Sequence, residues 1–323
     1  MPIDVNSILA EFVQTGASDC FFTVGAPPSF RLRDNIKNIT EVRLTQDDIE
    51  LILKELLPEE SILEFESALE YNTAIVSNNA RFRMNVFRQR KQTGIVLRHI
   101  RTAIPSMEEL DLPKIYGDLI MEKRGLLLLV GATGSGKSTS LAAMLGHRNN
   151  HGSGHIVTIE DPIEYIHEHK NCIFTQRDVG IDTYSFGIAL KNTLRQAPDV
   201  IVIGEIRDRE TMEHAIIFSE TGHLCIATLH ANNANQAIER IVNFFPEEKH
   251  RQVLLNLSLN LKAILSQRLM PNLQGTRSVG IEILLNSGII HDLIAEGRVK
   301  EIREHIEKGH DSGMQTFEHS LFI

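Results

Sequence analysis

Tryptophan is absent from this chain of 323 residues, cysteine occurs three times, and aromatic residues make up only 6%. Each scarcity removes a class of function. Cys20, Cys172 and Cys225 form no C-x-x-C pair. That speaks against a disulfide framework and against a cysteine zinc site, and leaves buried thiols as the expectation. So few aromatics offer little for nucleobases to stack on. Positive charge is not in excess either: the formal net charge is −9, whereas dedicated nucleic-acid binders are basic. No apolar run approaches the roughly 20 residues that a membrane span needs. The segment Met1–Ala10 carries Asp4 and no basic residue, so it does not read as a secretory signal. A cytoplasmic chain is expected.

What the chain does have is apolar substance, 42% of its residues, and a length that predicts about two domains. Residues 1–101 alternate short strand-like runs with helical stretches, the pattern of a small α+β domain. Asp19–Val24 reads as a strand and Gly25–Pro28 as a turn. Thr45 is placed to cap a helix in which Ile49, Leu51, Ile52, Leu56 and Leu57 recur at helical spacing. Phe82, Met84, Val86 and Phe87 mark a further strand. The stretch Arg81–Arg101 holds seven Lys or Arg and no acid. Three readings are open for it: a solvated strand face, a nucleic-acid track, or arginines offered to a phosphate held by another domain or a neighbouring subunit. Arginine suits the last task because its planar fork stays charged and grips phosphate in a bidentate way.

A linker is expected over 102–112, where Ser106 and Glu109 have capping-box spacing. From 113 to 323 apolar strands alternate with helical segments, the mark of an α/β fold with a parallel sheet. Leu126–Val130 is continuously apolar, as befits a strand buried on both faces. It leads into Gly131-Ala-Thr-Gly-Ser-Gly-Lys-Ser138, followed by good helix formers from Leu141 to Leu145. This is G-x-x-x-x-G-K-[ST] in its strand–loop–helix context. Glycines let backbone N–H groups wrap a diphosphate, the helix N-terminus adds positive potential, and Lys137 neutralises the β and γ oxygens. The Ser138 hydroxyl is left for Mg²⁺. Gly131, Ala132, Thr133, Gly134, Ser135, Gly136, Lys137, Ser138 and Thr139 are therefore the candidate nucleotide-binding residues, with ATP and Mg²⁺ as the expected ligands.

Two further strands end in acids. His155–Ile159 runs into Glu160-Asp-Pro-Ile-Glu164, three carboxylates where a parallel strand's carboxyl end should meet the nucleotide. Asp199–Ile203 runs into Gly204-Glu205, a Walker B arrangement in which Glu205 would hold the Mg²⁺ shell. A fourth strand, Leu224–Leu229, is preceded by His223 and followed by His230, which could sense the γ-phosphate. His147, His151 and His155 are spaced by four, but Asn149, Asn150, Gly152 and Gly154 between them predict a polar loop rather than a zinc site.

Four of these strings in this order closely resemble the secretion-ATPase superfamily: the phosphate loop through Met144, Ile159–Glu164, Gly204–Asp208 and Thr221–His230. Within it, Gly16–Asp19, Gly25–Pro28, Arg81–Arg83 and Phe87–Arg90 make the chain similar to the type IV pilus retraction (twitching motility) ATPases of the PilT/PilU group. The resemblance spans nearly the whole length. It implies a PAS-like N-terminal domain and a RecA-like P-loop NTPase core in a homo-oligomer, a hexamer, that drives pilus disassembly. It places that motor peripherally at the cytoplasmic face of the bacterial inner membrane. An inner-membrane pilus platform protein is the implied partner, a paralogous retraction ATPase a further candidate, and nucleic acid is not expected. It implies Glu164 as catalytic base, Glu205 as the Walker B carboxylate, and His223 and His230 as His-box residues. Arg81, Arg83, Arg98 and Arg101 are the implied candidates for reaching a nucleotide at a subunit boundary. Near the C-terminus the chain departs from the retraction pattern: two arginines of the group's Ala-Ile-Arg-Asn-Leu-Ile-Arg-Glu helix are missing from Gly288-Ile-Ile-His-Asp-Leu-Ile-Ala-Glu296. That departure, with Gly313–Glu318, leans toward the PilU-like accessory branch. The rival functions are an ATPase of a related type IV secretion or conjugation apparatus, a nucleic-acid translocase on the same core, and a partner that binds ATP without hydrolysing it.

Overall fold

The structure is a computed structural model, and it describes residues 4–32, 35–100, 103–271, 277–309 and 312–321. The chain divides into two compact units. The first comprises residues up to Ala103 together with Pro162–Ile166, and the second comprises Ile104–Asp161 and His167 onward.

The first unit is built on a six-stranded antiparallel sheet. Its strands are β1 (Asp19–Thr23), β2 (Ser29–Leu32), β3 (Asn35–Asn38), β4 (Glu70–Ser77), β5 (Ala80–Gln89) and β6 (Gln92–Ile100). Their order is β3-β2-β1-β6-β5-β4. Strand β5 shows the period of two: Phe82, Met84 and Val86 are buried, and Arg81, Arg83 and Asn85 lie on the other face. The helix Val5–Thr15 adds Val5, Leu9 and Phe12 to the same core, at the spacing that keeps them on one face. In the helix Gln46–Leu56 the Thr45 cap is reciprocal: Thr45 Oγ1 accepts from Asp48 N–H, and the Asp48 carboxylate accepts from Thr45 N–H at 2.8 Å. Ile49, Ile52 and Leu53 form its buried face, so Leu51, expected among the core positions, is instead 58% exposed.

The expected capping box at Ser106 also forms, with Ser106 N–H donating to Glu109 at 2.7 Å and Glu109 N–H to Ser106 Oγ at 3.1 Å. It closes a turn rather than opening a helix. Asp111 has a left-handed φ of 51° and Pro113 follows, and neither lets a helix propagate.

The second unit contains a seven-stranded sheet. Its strands are β7 (Gly125–Val130), β8 (Gly154–Glu160), β9 (Cys172–Asp178), β10 (Val200–Ile203), β11 (Leu224–Leu229), β12 (Leu261–Pro271) and β13 (Arg277–Leu285), in the order β13-β12-β7-β11-β10-β8-β9. All neighbours are parallel except β12 and β13, which form an antiparallel hairpin. Strand β7 explains its own apolar run. Leu126, Leu128 and Val130 belong to the core on one face, Leu127 and Leu129 to the core on the other. This doubly covered parallel sheet is the RecA-like α/β core, and it gathers the loops after β7, β8, β10 and β11 at one edge.

The stretch expected as a polar loop after the phosphate-loop helix is partly helical, since that helix runs from Lys137 to His151. Tertiary bonds hold its last turn. Arg148 donates to the carbonyls of Ile120 and Glu122, and Asn149 donates to the Glu168 carbonyl while accepting from Cys172 N–H.

Candidate nucleotide site

The phosphate loop follows β7 directly. Gly131, Gly134 and Gly136 all have positive φ. At Gly131 the constraint is also spatial: a Cβ there would collide with Ser135 Oγ and lie 2.5 Å from the Gln267 carbonyl oxygen. Gly136 stands at the N-cap of the helix Lys137–His151 and offers no side chain to its first N–H groups, which leaves them to an anion. Lys137 is buried, and its Nζ donates to the carbonyls of Gly131 at 2.8 Å and Ala132 at 2.9 Å. Burial pulls its pKa down, and the Glu205 carboxylate opposes that shift. Ser135 Oγ is buried with no partner. Amides, ammonium and a spare hydroxyl are the donor set a polyphosphate demands, so these residues fit one. Ser138 is exposed in the first helical turn, and Thr139 beside it is half-buried.

Glu205 lies two residues beyond β10. Its carboxylate accepts from His230 Nε2 at 2.9 Å and from Arg207 Nε at 2.7 Å. Arg207 continues to Asp161 at 3.5 Å, and its pKa is raised chiefly by the bond to Glu205. Glycine at 204 has a spatial reason, because a Cβ would approach Glu160 Cα to 3.0 Å and the Ile159 carbonyl oxygen to 3.1 Å. A hydroxyl from β11, Thr228 Oγ1, donates to the Gly204 carbonyl. Strand ends therefore bring Glu205, Asp161, Arg207 and His230 into one charged cluster whose Glu205 acts electrostatically on Lys137. A cavity of about 560 Å³ opens between Ala132 and His230 and runs along the helix Ala234–Asn243 to Arg240 and Phe244.

Of the three carboxylates after β8, Glu160 accepts from Thr158 Oγ1 at 2.6 Å and Asp161 reaches Arg207. Glu164 stands between the buried Ile163 and Tyr165 in the segment Pro162–Ile166, which groups with the first unit.

The two histidines of β11 are also separated. His223 precedes the strand, where its carbonyl accepts from Gly125 N–H at 3.0 Å and its Nδ1 lies 3.1 Å from Thr221 Oγ1. His230 follows the strand, so about seven residues at ~3.3 Å each put roughly 20 Å between them. Within one chain His223 does not join the cluster.

Of the candidate arginines, Arg98 binds Asp19 at 3.0 Å, and Asp19 also pairs with Arg31 at 3.2 Å. Arg83 stands opposite Arg98 in the β5–β6 ladder, and Arg81 shares that face with its Nε buried and unpartnered. Arg101 lies outside the described residues. Among the spaced histidines, the His147 and His151 rings are 4.3 Å apart, while His155 bonds the Gln196 carbonyl and Thr175. His167 stacks on Phe174, and burial pushes its pKa down to about 4.

Sequence reasoning passed over Arg207 and Gln267. Gln267 Nε2 donates to Ser140 Oγ at 2.8 Å, which ties β12 to the phosphate-loop helix. The available signals were a base two residues after the Walker B acid, and the polar run Ser266-Gln267-Arg268 within a mostly apolar strand.

Comparison with known proteins is consistent with this geometry. The model of the family described as "Type II/IV secretion system protein" matches residues 2–282. The chain is 51% identical over 322 residues to the type IV pilus ATPase PilU of Pseudomonas aeruginosa, covering 99% of this chain and 84% of that protein. To the pilus retraction ATPase PilT of the same organism it is 38% identical, covering 99% and 93%. A crystal structure of the pilus retraction motor PilT with bound ADP superposes with a TM-score of 0.88 at 39% identity, covering 98% of this chain and 96% of that one.

Proposed function

This chain belongs to the type II/IV secretion system protein family, among its PilT/PilU-like type IV pilus ATPases, and we propose from that premise that it is a ring-forming motor for pilus retraction. It is an ATP hydrolase that assembles with copies of itself, and the hexamer is the assembly we assign to it. The observation that carries the reading is the Glu205 carboxylate held between His230 and Arg207 and acting on Lys137.

Lys137 and the loop amides bind the β- and γ-phosphates of ATP. Ser138 and Glu205 would hold Mg²⁺, which when bound spreads the charge that builds on the phosphoryl oxygens. His230 and Arg207 fix the Glu205 carboxylate in one orientation. Glu164 serves as the base that orients the attacking water. Arg81 and Arg83 are offered from the same unit toward a phosphate of a neighbouring copy, while Arg98 is assigned mainly to its Asp19 pair. Loss of the γ-phosphate frees these contacts, and the resulting hinge motion is the stroke.

Among the described residues no helix is long and apolar enough to cross a membrane. We assign the motor a peripheral place at the cytoplasmic face of the inner membrane, working on a pilus platform protein. The two arginines missing from Gly288–Glu296 favour an accessory motor that works beside a paralogue. ATP turnover of the purified chain and of Glu164→Gln, with assembly followed by light scattering, tests the reading. A hexamer that turns over ATP, with a variant that binds ATP without hydrolysing it, is the expected result. An inactive monomer under all conditions would overturn the autonomous motor.

A further inference from the structure

Three residues separate His230 from the helix Ala234–Asn243, so the place where that helix begins decides where the imidazole sits. Two charged side chains of the β12–β13 hairpin hold this stretch. Glu282 Oε1 accepts from Ala234 N–H at 2.8 Å and from Ser266 Oγ at 3.0 Å. Arg268 Nη2 donates to the Asn232 carbonyl at 3.1 Å. Ser266 stands directly opposite Glu282 in the ladder, and Arg268 lies two residues along on the same face.

A carboxylate is costly in such a place. Glu282 is 7% exposed, and burial raises its pKa against the opposing effects of the Ala234 and Ser266 bonds and of Arg268 and Arg303. Its placement answers a specific need. Ala234 N–H belongs to the first helical turn, where no carbonyl of the same helix is in reach, and Ala234 is fully buried, which keeps water away. The Asn233 cap is committed to Gln236 N–H at 2.9 Å. A negative charge at this end also suits the helix dipole.

We propose that Glu282, assisted by Arg268, is a positioning residue for ATP hydrolysis: it fixes the start of the helix Ala234–Asn243 and through it the His230 imidazole against Glu205. The inference rests on the role given to His230 above. Gln267, next along β12 and so on its other face, holds the phosphate-loop helix through Ser140. One hairpin thus supports both walls of the site.

The test combines ATP turnover of Glu282→Ala, Glu282→Gln, His230→Ala and the double variant Glu282→Ala/His230→Ala with hydrogen exchange over residues 231–240 in nucleotide-free protein. Leaving one buried N–H without its acceptor should lower kcat about tenfold in Glu282→Ala, with KM for ATP moving less than about threefold. Glu282→Gln keeps an acceptor oxygen and should recover most of that loss. In the His230→Ala background Glu282→Ala should cost nothing further, and exchange over 231–240 should quicken in Glu282→Ala and slow again in Glu282→Gln. Should Glu282→Ala not fold, Arg268→Met frees the Asn232 carbonyl, with the loss of the charge beside Glu282 and of the contact over the Phe317 ring, and is read the same way at smaller amplitude. An equal fold-loss from Glu282→Ala with and without His230 overturns the proposal, as does unchanged exchange. A wild-type rate in His230→Ala sinks the role of that histidine and the route through it, while quickened exchange would still identify Glu282 as a clamp on the fold alone.

Discussion

The two edges of the core sheet use the same residue types for different ends. At the amino edge His155 and His223 meet backbone carbonyls or a hydroxyl. At the carboxyl edge His230 meets a carboxylate that an arginine also holds. Histidine is therefore no marker of the site; its partner is. In an all-parallel stretch every strand points its carboxyl end the same way, so charged loop residues converge there and structural ones remain at the other edge.

The contrast between edges can be broken by substitution, starting at the carboxyl edge. Lys137→Ala should abolish measurable turnover, a loss of about a thousandfold or more, since nothing else in the loop supplies a mobile positive charge to the phosphates. Nucleotide-binding and hydrolysis assays check it. Glu164→Gln should cost about 10² to 10⁴ in kcat with ATP affinity retained, the range of a lost general base; an affinity loss of the same size would remove Glu164 from that role. Arg207→Ala should slow turnover by about tenfold to a hundredfold, because Glu205 would lose one of the two groups that orient it. His230→Ala should fall in the same range, whereas His223→Ala should stay within about threefold of wild type in a single-chain site. A matching loss at His223 would mean that it acts in a neighbouring copy.

The smallest effect concerns stability rather than turnover. The His167 pKa in the fold, about 4, lies below its unfolded value near 6.5. Between those values the unfolded chain binds the extra proton, so stability is complete above about pH 6.5 and declines as pH falls toward 4. In denaturant titrations across that window, His167→Gln should remove about one proton from the pH slope.

Much of this was legible in the chain. The run Leu126–Val130 and the eight residues after it specified a strand, a phosphate loop and a helix, because each position there answers a local demand of backbone or charge. The Thr45 cap was equally local. What escaped depended on distant partners. Leu51 fits a helical period yet faces solvent, since the sheet determines which face is wanted. The box at Ser106 is the local exception: it formed without a helix because Asp111 and Pro113 stop propagation. Arg207 and Gln267 acquire meaning only when other strands bring Glu205 and Ser140 beside them.

The amino-acid sequence by itself determined the family, the phosphate loop, and the doubly buried strands that force a parallel sheet. Short-range sterics and apolar burial suffice for those. Tertiary structure alone decided which carboxylate meets which base: Glu205 is held by His230 and Arg207, Glu164 goes to the first unit with Ile163 and Tyr165, and Glu282 lies under the His230 loop. Charge pairing acts through space over a few ångströms, and only the register of strands remote in sequence sets those distances.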